Sequence, residues 1–322
     1  MKKLNNNSYP SFAIIVTVVG ALLSYTAQAG GPGVPGDRFT NIGSIANTRH
    51  NMTQSTAPAI VVSMNGVRNN YGEVCVYCHT PHGANRTIAA PLWNRTIKAT
   101  NYQTYDELGT TTLTQEVTST PGPASLTCLS CHDGQTAIDS IINMPGSGMG
   151  LLSQETTQNT AFLNSWPPGC TGFGCGPTNH MGLNSNNGVL GNGTGSDGRG
   201  CLTCHADTGV LAGLGPDFSM FLLGTDLRND HPIGVTYPVT NGSGTDWNTP
   251  AGVQGASNYF ESVANGRMDK QEIRTYDGKV ECASCHDPHG VPSAGPGTVF
   301  NKTFLRKQNT DGSAVCFTCH NK

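Results

Sequence analysis

Residues 73–83 of the chain read EVCVYCHTPHG, and residues 281–290 read ECASCHDPHG. Each stretch has two cysteines separated by two residues, a histidine directly after the second cysteine, and another histidine three positions further on. The shorter pattern C-x-x-C-H occurs five times, and we number these occurrences motifs 1 to 5 in chain order. Their cysteine pairs are Cys75/Cys78, Cys128/Cys131, Cys201/Cys204, Cys282/Cys285 and Cys316/Cys319, followed by His79, His132, His205, His286 and His320.

The C-x-x-C-H pattern is the attachment site of a c-type haem. The two thiols add to the porphyrin vinyl groups as thioethers, and the following histidine donates its imidazole to the iron as the proximal ligand. A zinc ribbon or a redox dithiol requires no histidine at that position. All five motifs have one. The sequence therefore predicts five covalently bound c-type haems, with zinc or dithiol chemistry as the weaker alternative.

The remaining histidines equal the second axial positions in number. The chain contains ten histidines, so five are left after the motif histidines. Five irons with two axial positions each would use all ten. We therefore expect distal ligands at His50, His82, His180, His231 and His289. Met52 beside His50 and Met181 beside His180 are the competing ligands.

His82 and His289 carry an additional constraint, because each follows a motif histidine by three residues in C-H-x-P-H-G. While His79 is held on its own iron, the short link to His82 cannot carry that side chain to the opposite face of the same ring. His82 is therefore expected to reach a neighbouring haem. The same argument applies to His289.

Cys170 and Cys175 belong to none of the motifs. They lie in the stretch CTGFGC, where Gly176 occupies the position at which a haem site would need histidine. We expect these two cysteines to form a local disulfide in a glycine-rich loop, as an oxidising compartment allows. Two reduced thiols are the alternative.

The composition predicts a chain with little regular structure. Glycine accounts for 41 of 322 residues, and leucine, isoleucine, valine and phenylalanine make up only about 18% of residues 30–322, below the ~20% at which a core becomes hard to build. We expect mostly coil with short helices and little strand, wrapped around a chain of stacked haems that replaces the apolar core. Short helices are predicted at 125–133 and 257–265, a strand at 59–63, and turn-rich links at 182–200 and 239–255.

The motifs divide the chain into a haem pair at 75–132, a single haem at 201–205 and a second haem pair at 282–320, all within one domain that covers residues 30–322. Residues 1–29 have two early lysines, an apolar run and a small-residue site at Ala27-Gln28-Ala29, which together predict a signal peptide. A retained membrane anchor is the alternative. The formal net charge of −3 and the lack of basic runs give no reason to expect a nucleic-acid partner.

With these motifs in view, the sequence resembles multihaem c-type cytochromes of the doubled C-x-x-C-H class, known from metal-reducing and related anaerobic bacteria. CVYCHTPHG, CLSCHDG, NDHPIG and CASCHDPHG carry the resemblance, together with the C-terminal segment that ends in VCFTCHNK. It implies stacked bis-histidine haems, a periplasmic or cell-surface location, and redox proteins or extracellular metal oxides as partners. A looser similarity to filament-forming cytochromes implies self-assembly with shared ligands, although a closed monomer fits the sequence equally well.

Two functions follow from this interpretation. Iron with two histidine ligands has no position for a substrate, which favours an electron carrier over an enzyme. The alternative is a multihaem reductase for nitrite, hydroxylamine or a sulfur oxyanion, which needs one open iron. Pentahaem nitrite reductases mark that haem with lysine in place of the motif histidine, whereas all five motifs here keep histidine.

Overall fold

The chain is mostly coil with short helices and short strands, as the sequence predicts. The structure is a computed structural model. It describes residues 40–53, 68, 71–95, 97, 100–143, 182–183, 201–203, 205–206, 217–261, 270–309 and 312–321. The predicted signal peptide at 1–29, the predicted strand at 59–63 and most of the 182–200 link lie outside these residues. No helix among the described residues is long and apolar enough to cross a membrane.

Most helices coincide with the cysteine motifs. The α-helices are α1 (Pro123–His132), α2 (Cys282–Cys285) and α3 (Cys316–Cys319), which contain cysteines of motifs 2, 4 and 5. Short 3-10 helices lie at Cys75–Tyr77 and Cys201–Thr203 in motifs 1 and 3, and also at Ile45–Asn47, Tyr105–Glu107, Ser219–Phe221 and Lys302–Phe304. The predicted helix at 125–133 is confirmed by α1, which begins with proline at its first position, where the missing N–H is not needed.

The predicted helix at 257–265 is wrong at its start. Strands β2 (Gly252–Gln254) and β3 (Ser257–Tyr259) form a hairpin in which Gln254 pairs with Ser257 across a two-residue turn. Gly255 in this turn has φ +61°, a conformation that glycine adopts without steric cost. The polar 239–255 segment therefore ends in a hairpin, and the turn overrides the weak helical pattern that follows it.

A second strand pair connects the segment after His231 to the segment before motif 4. Strand β1 (Val235–Thr236) follows His231, and it pairs antiparallel with β4 (Lys279–Val280), which directly precedes motif 4. Val235 pairs with Val280 in this ladder. The pairing places the His231 segment beside the start of α2.

Among the buried apolar side chains of the described residues, two small clusters stand out. One contains Tyr71, Tyr77 and Ile141, and the other contains Tyr102, Leu129 and Leu227. Both clusters adjoin haem motifs, because Tyr77 lies inside motif 1 and Leu129 lies inside motif 2. Packing in the described part of the chain is therefore organised around the motifs.

Candidate haem-binding site

Each described motif folds into one helical turn. In motifs 1, 3, 4 and 5 the histidine N–H donates to the carbonyl of the first cysteine, with N–O distances of 2.8, 2.9, 3.1 and 2.9 Å. In motif 2 the corresponding residues lie inside α1. The turn is local, because it needs only the five consecutive residues, and in motifs 1, 2, 4 and 5 it holds the two cysteines and the histidine close together.

A second segment of chain packs against three of the motifs with one shared geometry. The backbone N–H of Asn94, Arg306 and Asn248 donates to the carbonyl of the second cysteine in motifs 1, 4 and 5, at 2.8, 2.8 and 2.9 Å. A side-chain nitrogen of the same residue donates to the carbonyl that follows the first cysteine, at 2.7, 2.9 and 2.7 Å. We call these three residues the clamp residues.

The residue before each clamp residue forms a backbone bridge with the motif histidine. Trp93 pairs with His79, and Trp247 pairs with His320. The Trp247 ring lies 4.6 Å from the His320 ring, centre to centre. The sequence analysis missed these contacts, although the dipeptide Trp-Asn occurs at both places and was a signal that could have revealed them.

Among the described residues, at least six of the candidate iron ligands have their Nδ1 atom hydrogen-bonded to an acceptor. A carbonyl oxygen can only accept, so a Nδ1 atom bonded to one carries the proton and leaves the lone pair on Nε2. Five are bonded to backbone carbonyls: His50 to Pro288 at 2.9 Å, His79 to Pro91 at 2.8 Å, His132 to Phe221 at 2.7 Å, His231 to Pro232 at 2.9 Å and His286 to Thr303 at 2.6 Å. The sixth, His289, is bonded to the Asp287 carboxylate at 3.0 Å.

Three motif histidines each lie opposite a histidine that the sequence predicts as a distal ligand. The ring centroids are 5.9 Å apart for His79 and His289, 6.3 Å for His132 and His50, and 6.4 Å for His320 and His231. A metal–imidazole bond is about 2 Å long and the bonding nitrogen lies about 1 Å from the ring centre, so two imidazoles on one metal have centroids about 6 Å apart. The residues present therefore fit one iron between the members of each pair.

Burial keeps several of these imidazoles neutral, which is the form that binds a metal. It lowers the pKa of His50 to about 4. Burial also lowers the pKa of His132 and of His286. Phe304 lies parallel to the His50 ring at 4.4 Å between centroids and covers one of its faces.

The other predicted ligands have different surroundings. His82 is exposed, and its carbonyl accepts hydrogen bonds from Asn143 at 2.8 Å and Thr80 at 2.9 Å. Within the described part of the chain, neither His82 nor His286 makes a ring contact with another imidazole. His205 lies parallel to Phe218, with centroids 4.2 Å apart. His180, Met181, Cys170, Cys175 and Cys204 lie outside the described residues.

The cysteines of different motifs approach one another. Cys128 of motif 2 lies beside Cys282 of motif 4, and the interaction of the two thiols raises the pKa of Cys128 and lowers that of Cys282. Burial, with a smaller contribution from the Cys131 thiol, raises the pKa of Cys78 to about 12. Burial also raises the pKa of Cys285 to about 11 and that of Cys319 to about 12. Motifs 2 and 4 therefore lie side by side, and this contact joins the two pairs of motifs.

The Glu281 carboxylate reinforces this contact. Glu281 precedes α2 and forms a capping box with Ser284. Its carboxylate also accepts from the backbone N–H of Gly122 at 3.1 Å and from the Ser125 hydroxyl. Gly122 is the N-cap of α1, so one carboxylate caps the helices of motifs 2 and 4. A Cβ atom on Gly122 would collide with this carboxylate, which explains the glycine.

Among the described residues, no group of three or more His, Cys, Asp and Glu side chains is arranged to hold a metal ion by protein ligands alone.

A family model described as "doubled CXXCH motif" matches residues 276–322, which contain motifs 4 and 5. No curated protein matches the chain. Residues 276–322 thus carry the doubled motif by which c-type cytochromes bind haem covalently.

Proposed function

We propose that this protein transfers electrons through five covalently bound c-type haems, each ligated by two histidines. The observation that carries the proposal is the set of opposed imidazole pairs with anchored Nδ1 atoms, such as His79 with His289. Together with the doubled motif at 276–322, these pairs support haem with both axial positions filled. The same C-x-x-C-H pattern in motifs 1 to 3 supports the count of five.

Bound haem would supply an iron that takes up and releases one electron. The protein's part is to keep the ligands in place. A backbone carbonyl that accepts from Nδ1 fixes both the tautomer and the orientation of a ring, as at His132 and Phe221. Two histidines held in this way would occupy both axial positions of the iron, and they would leave no position there for a substrate. Such a site is suited to electron transfer.

We further propose that the protein is exported and works in respiratory electron transport, in the periplasm or at the cell surface. The predicted signal peptide supports export. The formal charge of −3, to which haem propionates would add, favours donors and acceptors with basic surfaces. Metal oxides as acceptors and assembly into filaments are the further proposals that the resemblance supports.

The test is to measure haem content and the electron paramagnetic resonance spectrum of the purified, oxidised protein. We expect five haems per chain and only low-spin iron. A substoichiometric haem content, or high-spin iron amounting to one or more haems per chain, would overturn the proposal of five bis-histidine haems.

The reductase, which requires one open iron, is the second candidate, and motif 4 is the place to test for such an iron. His286 has an anchored Nδ1 atom, but no described imidazole lies in ring contact with it. An iron open at this motif would give one high-spin signal and turnover of nitrite or hydroxylamine by the reduced protein. Low-spin iron throughout, with no turnover, would eliminate this candidate.

A further inference from the structure

The segment Asp287–His289, which follows motif 4, lies against both haem motifs of the first pair. His289 faces His79 of motif 1 across 5.9 Å between centroids. The Pro288 carbonyl accepts from Nδ1 of His50 at 2.9 Å, and His50 in turn faces His132 of motif 2. Two adjacent residues that follow motif 4, Pro288 and His289, thus lie beside candidate iron ligands associated with both motifs of the first pair.

We infer that His289 is the distal ligand of the haem attached at Cys75 and Cys78, and that Asp287 is the residue that positions it. This assignment rests on the proposed function. The assignment links the two pairs of motifs. His289 lies three residues after His286 of motif 4, but more than two hundred residues after motif 1, whose haem it would ligate.

The contact between motifs 2 and 4 explains how the crossing arises. Cys128 and Cys282 are in contact, and Glu281 caps the helices on both sides of that contact. Motif 4 is therefore held against the first pair, and the turn that follows it points back toward motif 1. The His79 and His289 rings are nearly parallel, with an interplanar angle of 12°.

Asp287 distinguishes His289 from the other anchored imidazoles. Its carboxylate accepts from both the backbone N–H and Nδ1 of His289, each at 3.0 Å. Arg306, the clamp residue of motif 4, lies 3.6 Å from the other oxygen of the carboxylate and is itself buried. A carboxylate that accepts from Nδ1 makes an imidazole a stronger electron donor than a carbonyl does. The iron bound by His289 should therefore have a lower reduction potential than it would with a neutral acceptor.

The ligand assignment is tested by removing His289 in two backgrounds. His289→Ala in the otherwise unchanged protein should convert one iron from low spin to high spin. In a protein that lacks the first haem, made by Cys75→Ala and Cys78→Ala, the same substitution should add no high-spin iron. His231→Ala is the matched control, because His231 faces His320 of motif 5. This substitution should convert the iron at motif 5 to high spin whether or not the first haem is present.

Two results would overturn the assignment: a high-spin iron from His289→Ala that persists without the first haem, or none in either background. If the variant without the first haem does not accumulate, an experimental structure of the holoprotein decides, since it shows directly which nitrogen faces His79. The spin states of the variants and the holoprotein structure test the ligand assignment alone. The proposed function is contradicted only if the unaltered protein lacks five low-spin haems.

The role of Asp287 is tested by Asp287→Asn, which keeps the size of the side chain and removes its charge. We expect one haem to shift to a higher reduction potential while all irons stay low-spin. The shift should vanish in the protein without the first haem. An unchanged potential, or a shift that remains when the first haem is absent, would show that Asp287 does not act on that haem through His289.

Discussion

The carboxylate of Glu281 accepts a hydrogen bond from the backbone N–H of Gly122, which lies 159 residues earlier in the chain. The same carboxylate accepts from the Ser125 hydroxyl, and that hydroxyl oxygen accepts from the N–H of Cys282 at 2.9 Å. These hydrogen bonds hold the start of α1 against the start of α2. The two pairs of motifs consequently meet at the helices of motifs 2 and 4.

Glu281→Ala should destabilise the protein by about 1–3 kcal/mol, because it leaves buried donors without an acceptor at both helix starts. The measurement is denaturant unfolding of the holoprotein, followed through the haem absorbance. Glu73→Ala is the control, since Glu73 is exposed and precedes motif 1 in a similar position. Equal stability of the two variants would contradict the proposed double cap.

The pH dependence of stability should also reflect Glu281. Burial raises the pKa of this carboxyl in the folded protein. Between the unfolded pKa and the raised folded pKa, the folded state binds more protons, so this contribution to stability is present at low pH and is lost as pH rises through the folded value. Glu281→Gln removes the titrating group and should flatten that part of the profile. An identical slope in both proteins would refute the prediction.

The clamp residues should contribute to stability through their side chains. Asn94 is fully buried, donates to the Val76 carbonyl at 2.7 Å, and accepts from the N–H of Asn143 at 2.9 Å. Asn94→Ala should cost about 1–3 kcal/mol of unfolding free energy, as expected for buried polar groups left unpaired. Asn101→Ala, at an exposed position, is the control for the loss of an amide. Thermal unfolding of both variants measures the difference, and a loss no larger in Asn94→Ala than in Asn101→Ala would exclude a clamp role.

The ring orientations predict two kinds of low-spin spectrum. His79 and His289 are nearly parallel at 12°, whereas His50 and His132 are inclined at 77° and His231 and His320 at 68°. Parallel imidazoles split the iron d orbitals by π donation and give an ordinary rhombic signal. Perpendicular imidazoles leave those orbitals nearly degenerate and give a strongly anisotropic signal. Electron paramagnetic resonance should resolve both types, and His289→Ala should reduce the rhombic one. A spectrum with only one type would contradict these angles.

Removal of the haems should unfold the chain. The described apolar clusters contain only three fully buried or nearly buried side chains each, such as Tyr71 and Leu129. Leucine, isoleucine, valine and phenylalanine make up only about 18% of residues 30–322, so we do not expect the apolar side chains to offset the conformational entropy of a long coil without the haems. A variant with alanine at all ten motif cysteines should therefore show poor dispersion in proton nuclear magnetic resonance spectra and no cooperative thermal transition. A cooperative transition in that apoprotein would refute the prediction.

Some features could be read from the sequence because they are local. Five consecutive residues suffice to form the turn of each motif, so motif 4 is recognisable without any knowledge of its neighbours. The helix at α1 and the coil-rich character were predictable for the same reason. The helix predicted from residue 257 was wrong because Gly255 initiates a hairpin, and pairing with β2 outweighs a weak local preference.

The sequence by itself determined which cysteines and histidines form the five C-x-x-C-H motifs, and it led to the prediction that ten histidines serve five irons. Only the tertiary structure decided which histidine faces which motif, because opposed imidazoles such as His79 and His289 come from distant parts of the chain. Their meeting depends on the contact between α1 and α2 and on the Glu281 carboxylate, which are products of packing and leave no pattern within either segment.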